Sequence, residues 1–147
     1  MLRPLQVLLV EDNPADIDLT RDSLDSSKLH IELSVTMDGV AAIDFLAQRG
    51  AYADAPRPDL IVLDLNLPLK DGRDVLAHIK AQEVLRRIPV VVLTSSAAET
   101  DVLRSYELGA NCYITKPLDF RSFHTIVQSL EYFWFTIVKL PPTVDGE

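Results

Sequence analysis

The stretch Leu60-Ile61-Val62-Leu63-Asp64-Leu65-Asn66-Leu67-Pro68 decides the fold. Four apolar residues lead into one carboxylate, and a proline ends the run four residues later. A short continuous apolar run reads as a strand buried on both faces, as in a parallel α/β sheet. Asp64 then stands at the C-terminal edge of that strand, the edge where open parallel sheets bind ligands. Working outward, three similar edges follow. Val7 to Val10 runs into Glu11 and Asp12, Val90 to Leu93 into Thr94, and Cys112 to Thr115 into Lys116. Three acids, a hydroxyl and a lysine are thereby expected on one rim.

Between these strands the sequence carries helix signals. Asn13 and Pro14 suit an N-cap and a first helical position, opening a helix to about Ser26. Residues 30 to 36 alternate apolar and polar, which predicts a half-exposed strand near the sheet edge. Asp38 caps a second helix that ends near Gly50. Residues 51 to 58 form a proline-rich loop. The turn at Asp71-Gly72 opens a third helix, Ser96-Ala97-Ala98-Glu99 is a capping-box pattern for a fourth, and Asp119 caps a fifth. The order, strand then helix five times over, predicts a doubly wound, three-layer parallel sheet of five strands with flavodoxin-like topology.

Size and composition bound the function. The chain has 147 residues, enough for one domain with a substantial core. No apolar run approaches the roughly 20 residues of a membrane helix, and no signal-peptide layout is present. A single cysteine favours a reducing, cytoplasmic setting. The net charge of −8 disfavours DNA, whose phosphates need clustered cations.

The rim points to phosphoryl chemistry. Glu11, Asp12 and Asp64 repel one another, so at neutral pH they must protonate or bind a cation. Hard oxygen ligands with open positions suit Mg²⁺. Lys116 offers a point charge and Thr94 a hydrogen bond to phosphate oxygens, and a carboxylate is a competent covalent phosphoryl acceptor. Together these residues make a site for forming an aspartyl phosphate.

The same residues resemble response-regulator receiver domains of two-component systems. The resemblance rests on Glu11-Asp12, on Asp64 within the run to Asp71-Gly72, on Thr94-Ser95 and on Lys116-Pro117, in that order, and spans about residues 5 to 135. It implies that Asp64 accepts phosphate from a phosphohistidine on a sensor histidine kinase. It implies that Asp12, Asp64 and the backbone carbonyl of Asn66 bind Mg²⁺ (with Mn²⁺ able to substitute), Glu11 acting through water. Thr94, Ser95 and Lys116 would contact the phosphoryl group, Tyr113 would change rotamer on activation, and the Lys116–Pro117 bond would be cis. Leu67 stands where a methionine is usual, and the 50 to 58 connection looks longer than usual. Residues 1 to 140 are expected to be the receiver and 141 to 147 a short tail, too short for an output domain, so a stand-alone signalling switch rather than an enzyme is expected. Its look is most similar to the small regulators that partner cyanobacterial and bacterial phytochromes.

The last helix carries a further expectation. A core stripe over positions 123, 126, 127, 130, 133, 134 and 137 leaves Tyr132 and Phe135 facing elsewhere. A helix end that is apolar nearly all round suggests a homodimer there, with Phe123, Tyr132, Trp134 and Phe135 as its candidate residues. Two competing functions remain. A Mg²⁺-dependent phosphatase or phosphotransferase of haloacid-dehalogenase type also uses a nucleophilic aspartate, but it needs a second acid two residues on, where this chain has Asn66. A binding module on the same fold would lack one of the site residues, and none is missing.

Overall fold

The computed structural model describes residues 3–25 and 29–142. The expected first-helix end at Ser26, and residues 143–147 of the expected tail, lie outside the described residues. Five strands, β1 (Leu5–Val10), β2 (Ile31–Thr36), β3 (Leu60–Leu63), β4 (Val90–Thr94) and β5 (Cys112–Thr115), form one all-parallel sheet in the order β2-β1-β3-β4-β5. Five helices connect and follow them: α1 (Pro14–Asp25), α2 (Gly39–Ala47), α3 (Gly72–Ala81), α4 (Glu99–Glu107) and α5 (Phe120–Tyr132).

Two hydrophobic layers follow from the two-residue period of a strand. Leu8, Val10, Ile61, Leu63, Val90 and Val92 face one side, where they meet Ile43, Phe45 and Leu46 of α2 and Val75, Leu76 and Ile79 of α3. Val7, Leu9, Leu60, Val62, Val91 and Leu93 face the other, against Ile17 and Leu24 of α1 and Phe123 and Val127 of α5. Each such aliphatic side chain contributes about 1.5–3 kcal/mol when fully buried. The expected edge strand β2 is indeed at the edge, its residues mostly half-buried.

Caps fix the helix starts. Asn13 Oδ1 accepts from the Asp16 amide at 3.1 Å, Asp38 Oδ1 from Ala41 at 2.7 Å, Asp71 Oδ1 from Arg73 at 2.7 Å and Asp119 Oδ1 from Ser122 at 2.8 Å. The capping box expected at Ser96 does not form. Helix α4 begins at Glu99, two residues later than a Ser96 N-cap would place it, with Ala98 as an N-cap whose methyl side chain offers no acceptor. The Ser96 hydroxyl donates to Asp101 Oδ2 at 2.6 Å and accepts from the Ala98 amide at 3.4 Å. Helix α2 stops at Gln48, which takes the left-handed conformation (φ 56°), two residues before the glycine expected to end it.

The last helix also departs from the straight stripe. After Tyr132 the backbone widens into a π turn over Phe133–Ile137, closed by the Val138 amide on the Phe133 carbonyl at 2.8 Å. The five-residue hydrogen bond slips the register of an α-helix. Trp134 therefore remains in the core while Phe133 and Ile137, expected inside, are 48% and 60% exposed. Phe123 and Trp134, expected at a dimer contact, are instead buried within the chain's own core. Tyr132 is exposed as expected, and Phe135 packs half-buried against the same core.

Candidate phosphoacceptor and metal site

Strand register builds the site. Val10 pairs with Leu63, so Glu11 and Asp64 leave neighbouring strands side by side, and the Asp64 amide donates to the Val10 carbonyl at 3.0 Å. On the other flank Thr94 pairs with Thr115, and the Lys116 amide donates to the Thr94 carbonyl at 2.7 Å. The residues expected on one rim are on one rim.

Lys116 is the hub. Its ammonium lies 2.6 Å from Glu11 Oε1, 2.8 Å from Asp16 Oδ2 and 2.9 Å from Asp64 Oδ2, with the lysine and both strand-end acids almost wholly buried. The second Asp64 oxygen accepts from the Asn66 amide at 3.2 Å, and the Thr94 hydroxyl also bonds to the Asp64 carboxylate. Burial pushes the Asp64 carboxyl up, but Lys116, Thr94 and the Asn66 amide together outweigh it and hold the group below the usual carboxylate range. Asp64 is thus an anion, aimed by three donors.

Glu11 has the opposite fate. Burial dominates, the neighbouring Asp64 charge adds to it, and the bond from Lys116 only partly compensates, so the carboxyl is pushed up to about 7. The Asn13 amide donates to its other oxygen at 3.1 Å. Burial alone would lower the Lys116 ammonium, yet its bonds to Asp16, Glu11 and Asp64 raise it above the usual lysine range. Carboxylate oxygens of Glu11, Asp12 and Asp64 lie within 4.8 Å of one another, Asp12 exposed at the mouth and the other two buried. One ammonium cannot neutralise four carboxylates, and the all-oxygen donor set with an open side fits a divalent cation. Asn66, at the place where a phosphatase of this type would need its second acid, is exposed and bears no charge.

Asp16 is the site residue that the strand-end motifs do not flag. Its only signal is an acid in the first turn of a helix that opens directly beside the rim. Around Tyr113 and Ser96 a second network appears. Tyr113, half-buried against the core, donates its hydroxyl to the Ser96 carbonyl at 2.8 Å. Ser96 holds Asp101, and Arg73 at the start of α3 bridges Asp101 at 2.7 Å and Asp71 at 3.0 Å. Ser95, expected beside Thr94 in the site, is exposed and takes no part in these bonds; Ser96 is the engaged hydroxyl. The Lys116–Pro117 bond is trans and not cis as expected, the isomer that X–Pro bonds favour by about 0.5–1 kcal/mol.

Comparisons with known proteins agree with this geometry. The family model of the response regulator receiver domain matches residues 7–128. Response regulator Rcp1 of Synechocystis sp. is 52% identical over 138 residues, covering 94% of each chain. The crystal structure of the phosphorylated cyanobacterial phytochrome response regulator RcpA superposes with a TM-score of 0.93 at 48% identity, covering 95% of this chain and all of that one. The Mn²⁺-bound form of Rcp1 gives 0.92 at 52% identity with the same coverage.

Proposed function

Because the chain belongs to the response regulator receiver family, we propose that it is a phosphorylation-driven switch whose phosphoacceptor is Asp64 and whose donor is a phosphohistidine on a sensor kinase of phytochrome type. The observation that carries this reading is the Lys116 ammonium holding Asp64 Oδ2 inside an acid cluster that opens to solvent at Asp12, with Thr94 on the same carboxylate. Likeness to phytochrome response regulators over nearly the whole chain supports the kinase class. The single cysteine and the absence of any membrane-length apolar helix among the described residues fit a cytoplasmic setting. We assign residues 1 to 140 to the receiver unit, since α5 and its π turn pack on the same sheet as the matched segment.

In the transfer step an Asp64 carboxylate oxygen attacks phosphorus as the P–N bond of the donor breaks. The bonding pair stays on the ring nitrogen of a phosphohistidine protonated at its other nitrogen, so neutral imidazole leaves. Asp12, Asp64 and the Asn66 carbonyl, with Glu11 acting through water, are the groups that would hold Mg²⁺, which when bound supplies charge neutralisation and orientation for the phosphoryl group. Lys116 exchanges a carboxylate partner for a phosphoryl oxygen, a charge-assisted contact of the same kind. Thr94 turns its hydroxyl from the Asp64 carboxylate to the new phosphate. That motion loads the β4–α4 connection, where Ser96 is tied to both Tyr113 and Asp101, and shifts the population of the α4–β5–α5 face.

The readout of that face is a homodimer centred on the end of α5. Tyr132, Phe133 and Ile137 present exposed apolar surface there, and Leu103 and Tyr106 of α4 do the same on the adjoining helix. The proposal is tested by intact-mass measurement after incubation with acetyl phosphate and Mg²⁺. One added phosphoryl group, absent with EDTA and absent in Asp64→Asn, is the expected result; no added mass in the wild-type chain contradicts it.

A further inference from the structure

The long 50 to 58 connection has a structural outcome at the pole opposite the acid cluster. Gly50–Tyr52 forms a single 3₁₀ turn, and Tyr52 packs on Phe45 with ring centroids 5.5 Å apart. The chain then runs through Pro56, Arg57 and Pro58 into β3, and this run walls a cavity of about 370 Å³. Pro89 and Ile88 at the entry to β4 form another wall, and Pro141 and Pro142 close the side. A second hollow, of about 440 Å³, adjoins it across Arg57 and Val84, which line both.

The charge in this cavity is unbalanced. Asp59, its one acid, is already engaged: Arg3 clamps both carboxylate oxygens at 3.0 and 2.6 Å, and the Gln6 amide adds a third bond at 2.8 Å. Arg57 donates to the Leu46 carbonyl and to Gln48 Oε1, neutral acceptors both, so its charge has no acidic partner among the described residues. Two of its five N–H donors are used, which leaves a fork able to take a carboxylate or phosphate. Arg87, next to Ile88 in the chain, also lines the cavity; it is exposed and has no ion pair among the described residues. Gln48 is held in the left-handed region with its side chain tied to the loop through the Ala55 carbonyl at 2.7 Å. For a non-glycine residue that conformation is strained, and the loop's contacts hold it in place.

We infer that the 50 to 58 loop builds a ligand site for a small organic anion, one with a flat apolar body bearing a carboxylate or a phosphate. The proline rings with Ile88 and Val84 supply the flat apolar walls, and Arg57 and Arg87 supply the anion contacts. The volume lies in the range of small-molecule sites, about 300–1,000 Å³. The guanidinium groups of Arg57 and Arg87 on the cavity lining give the site its selectivity for anions over neutral molecules of the same shape, against the general repulsion of a chain of net charge −8. The inference is independent of phosphorylation at Asp64, since the two sites lie at opposite ends of the strands.

The test is an amide chemical-shift titration in metal-free buffer with EDTA, using 1-naphthyl phosphate and 1-naphthoate as probes and 1-naphthol and inorganic phosphate as controls. The expected result is saturable shifts at Gln6, Gln48, Arg57 and Arg87 for one or both naphthyl anions, with a dissociation constant of about 1 mM or tighter. At least tenfold weaker binding of 1-naphthol and of inorganic phosphate is expected as well. Which anion binds more tightly identifies the carboxylate or the phosphate source. Arg87→Gln, which alters an exposed side chain and spares the loop's internal bonds, should weaken the anion at least fivefold while leaving the spectrum otherwise native. Arg57→Gln is the stronger perturbation, read only if its spectrum is also native. Shifts confined to the acid cluster, shifts unchanged by Arg87→Gln, equal binding of 1-naphthol, or no shifts at all would each overturn the inference.

Discussion

Glu11→Gln should make the metal-free protein more stable at neutral and alkaline pH, although it removes one partner of a buried ion pair. The Glu11 side chain is almost inaccessible, its charge is disfavoured there, and its carboxyl is pushed up to about 7 from an ordinary 4.5. Between those values the folded chain keeps a proton that the unfolded chain has released. More protons bound in the native state means that stability falls as pH rises. At about 1.4 kcal/mol for each pKa unit, the loss across this window is about 3 kcal/mol and is complete above pH 7. Glutamine does not titrate, so the variant escapes this decline. For a chain of this size about 3 kcal/mol corresponds to about 6–12 °C in melting temperature. The assay is thermal unfolding by circular dichroism in EDTA, wild type against variant, from pH 5 to pH 8.5. The two should converge near pH 5 and diverge with rising pH, the variant the more stable. Saturating Mg²⁺ at pH 8 should narrow the gap by stabilising the wild type more than the variant, which keeps Asp12 and Asp64 but lacks the third carboxylate, since binding to the native state adds to its stability. A pH-independent difference, or a variant less stable at pH 8 without metal, would refute the reasoning, because the Lys116 ion pair would then outweigh burial.

Other outcomes follow from the same geometry. A Cβ added at Gly72 would sit 2.2 Å from the Asp64 carbonyl oxygen and 2.6 Å from the Leu65 Cα, so Gly72→Ala should destabilise the fold by about 3 kcal/mol and slow phosphoryl uptake, read by denaturant titration and by mass. Tyr132→Ser with Phe133→Ser should convert any dimer to monomer on a sizing column without lowering the melting temperature, because both side chains are exposed. Trp134→Ala should cost about 3–5 kcal/mol of stability and lower the melting temperature accordingly, because that ring belongs to the chain's own core. Asp101→Ala should release the Ser96 hydroxyl and leave Arg73 paired with Asp71 only, accelerating amide exchange in residues 95 to 98 while leaving β3 protected.

Most of this molecule is legible in the sequence because strand ends are legible. The apolar runs at 7–10, 60–63 and 90–93 carry two faces of core each, and the residue after each run must emerge at the rim, which places Glu11, Asp64 and Thr94 with no knowledge of the helices. Features that depend on three-dimensional competition are not legible in this way. Ser96 has the spacing of a capping box, yet Asp101 and Tyr113 recruit its hydroxyl and carbonyl, and those partners are set by tertiary packing. Asp16 reads as an ordinary first-turn acid until β5 brings Lys116 to it across 100 residues. The stripe on the last helix assumes an unbroken period of 3.6, and one π turn after Tyr132 moves Phe133 and Ile137 to the surface. The loop at 51–58 reveals its proline content in sequence, whereas the cavity it walls depends on β4 and on Pro141 and Pro142.

The central claim is that one carboxylate, Asp64, carries the phosphoryl group. Its most direct test is borohydride reduction of the protein after treatment with acetyl phosphate and Mg²⁺, followed by peptide mass mapping, which converts an acyl phosphate to homoserine at the residue that bore it. Homoserine at position 64 alone, and none in the EDTA control, is the predicted result. Homoserine at Asp12 instead, 2-amino-5-hydroxypentanoate at Glu11 instead, or a reduced residue at no position in a sample whose mass shows phosphoryl uptake, would contradict the account.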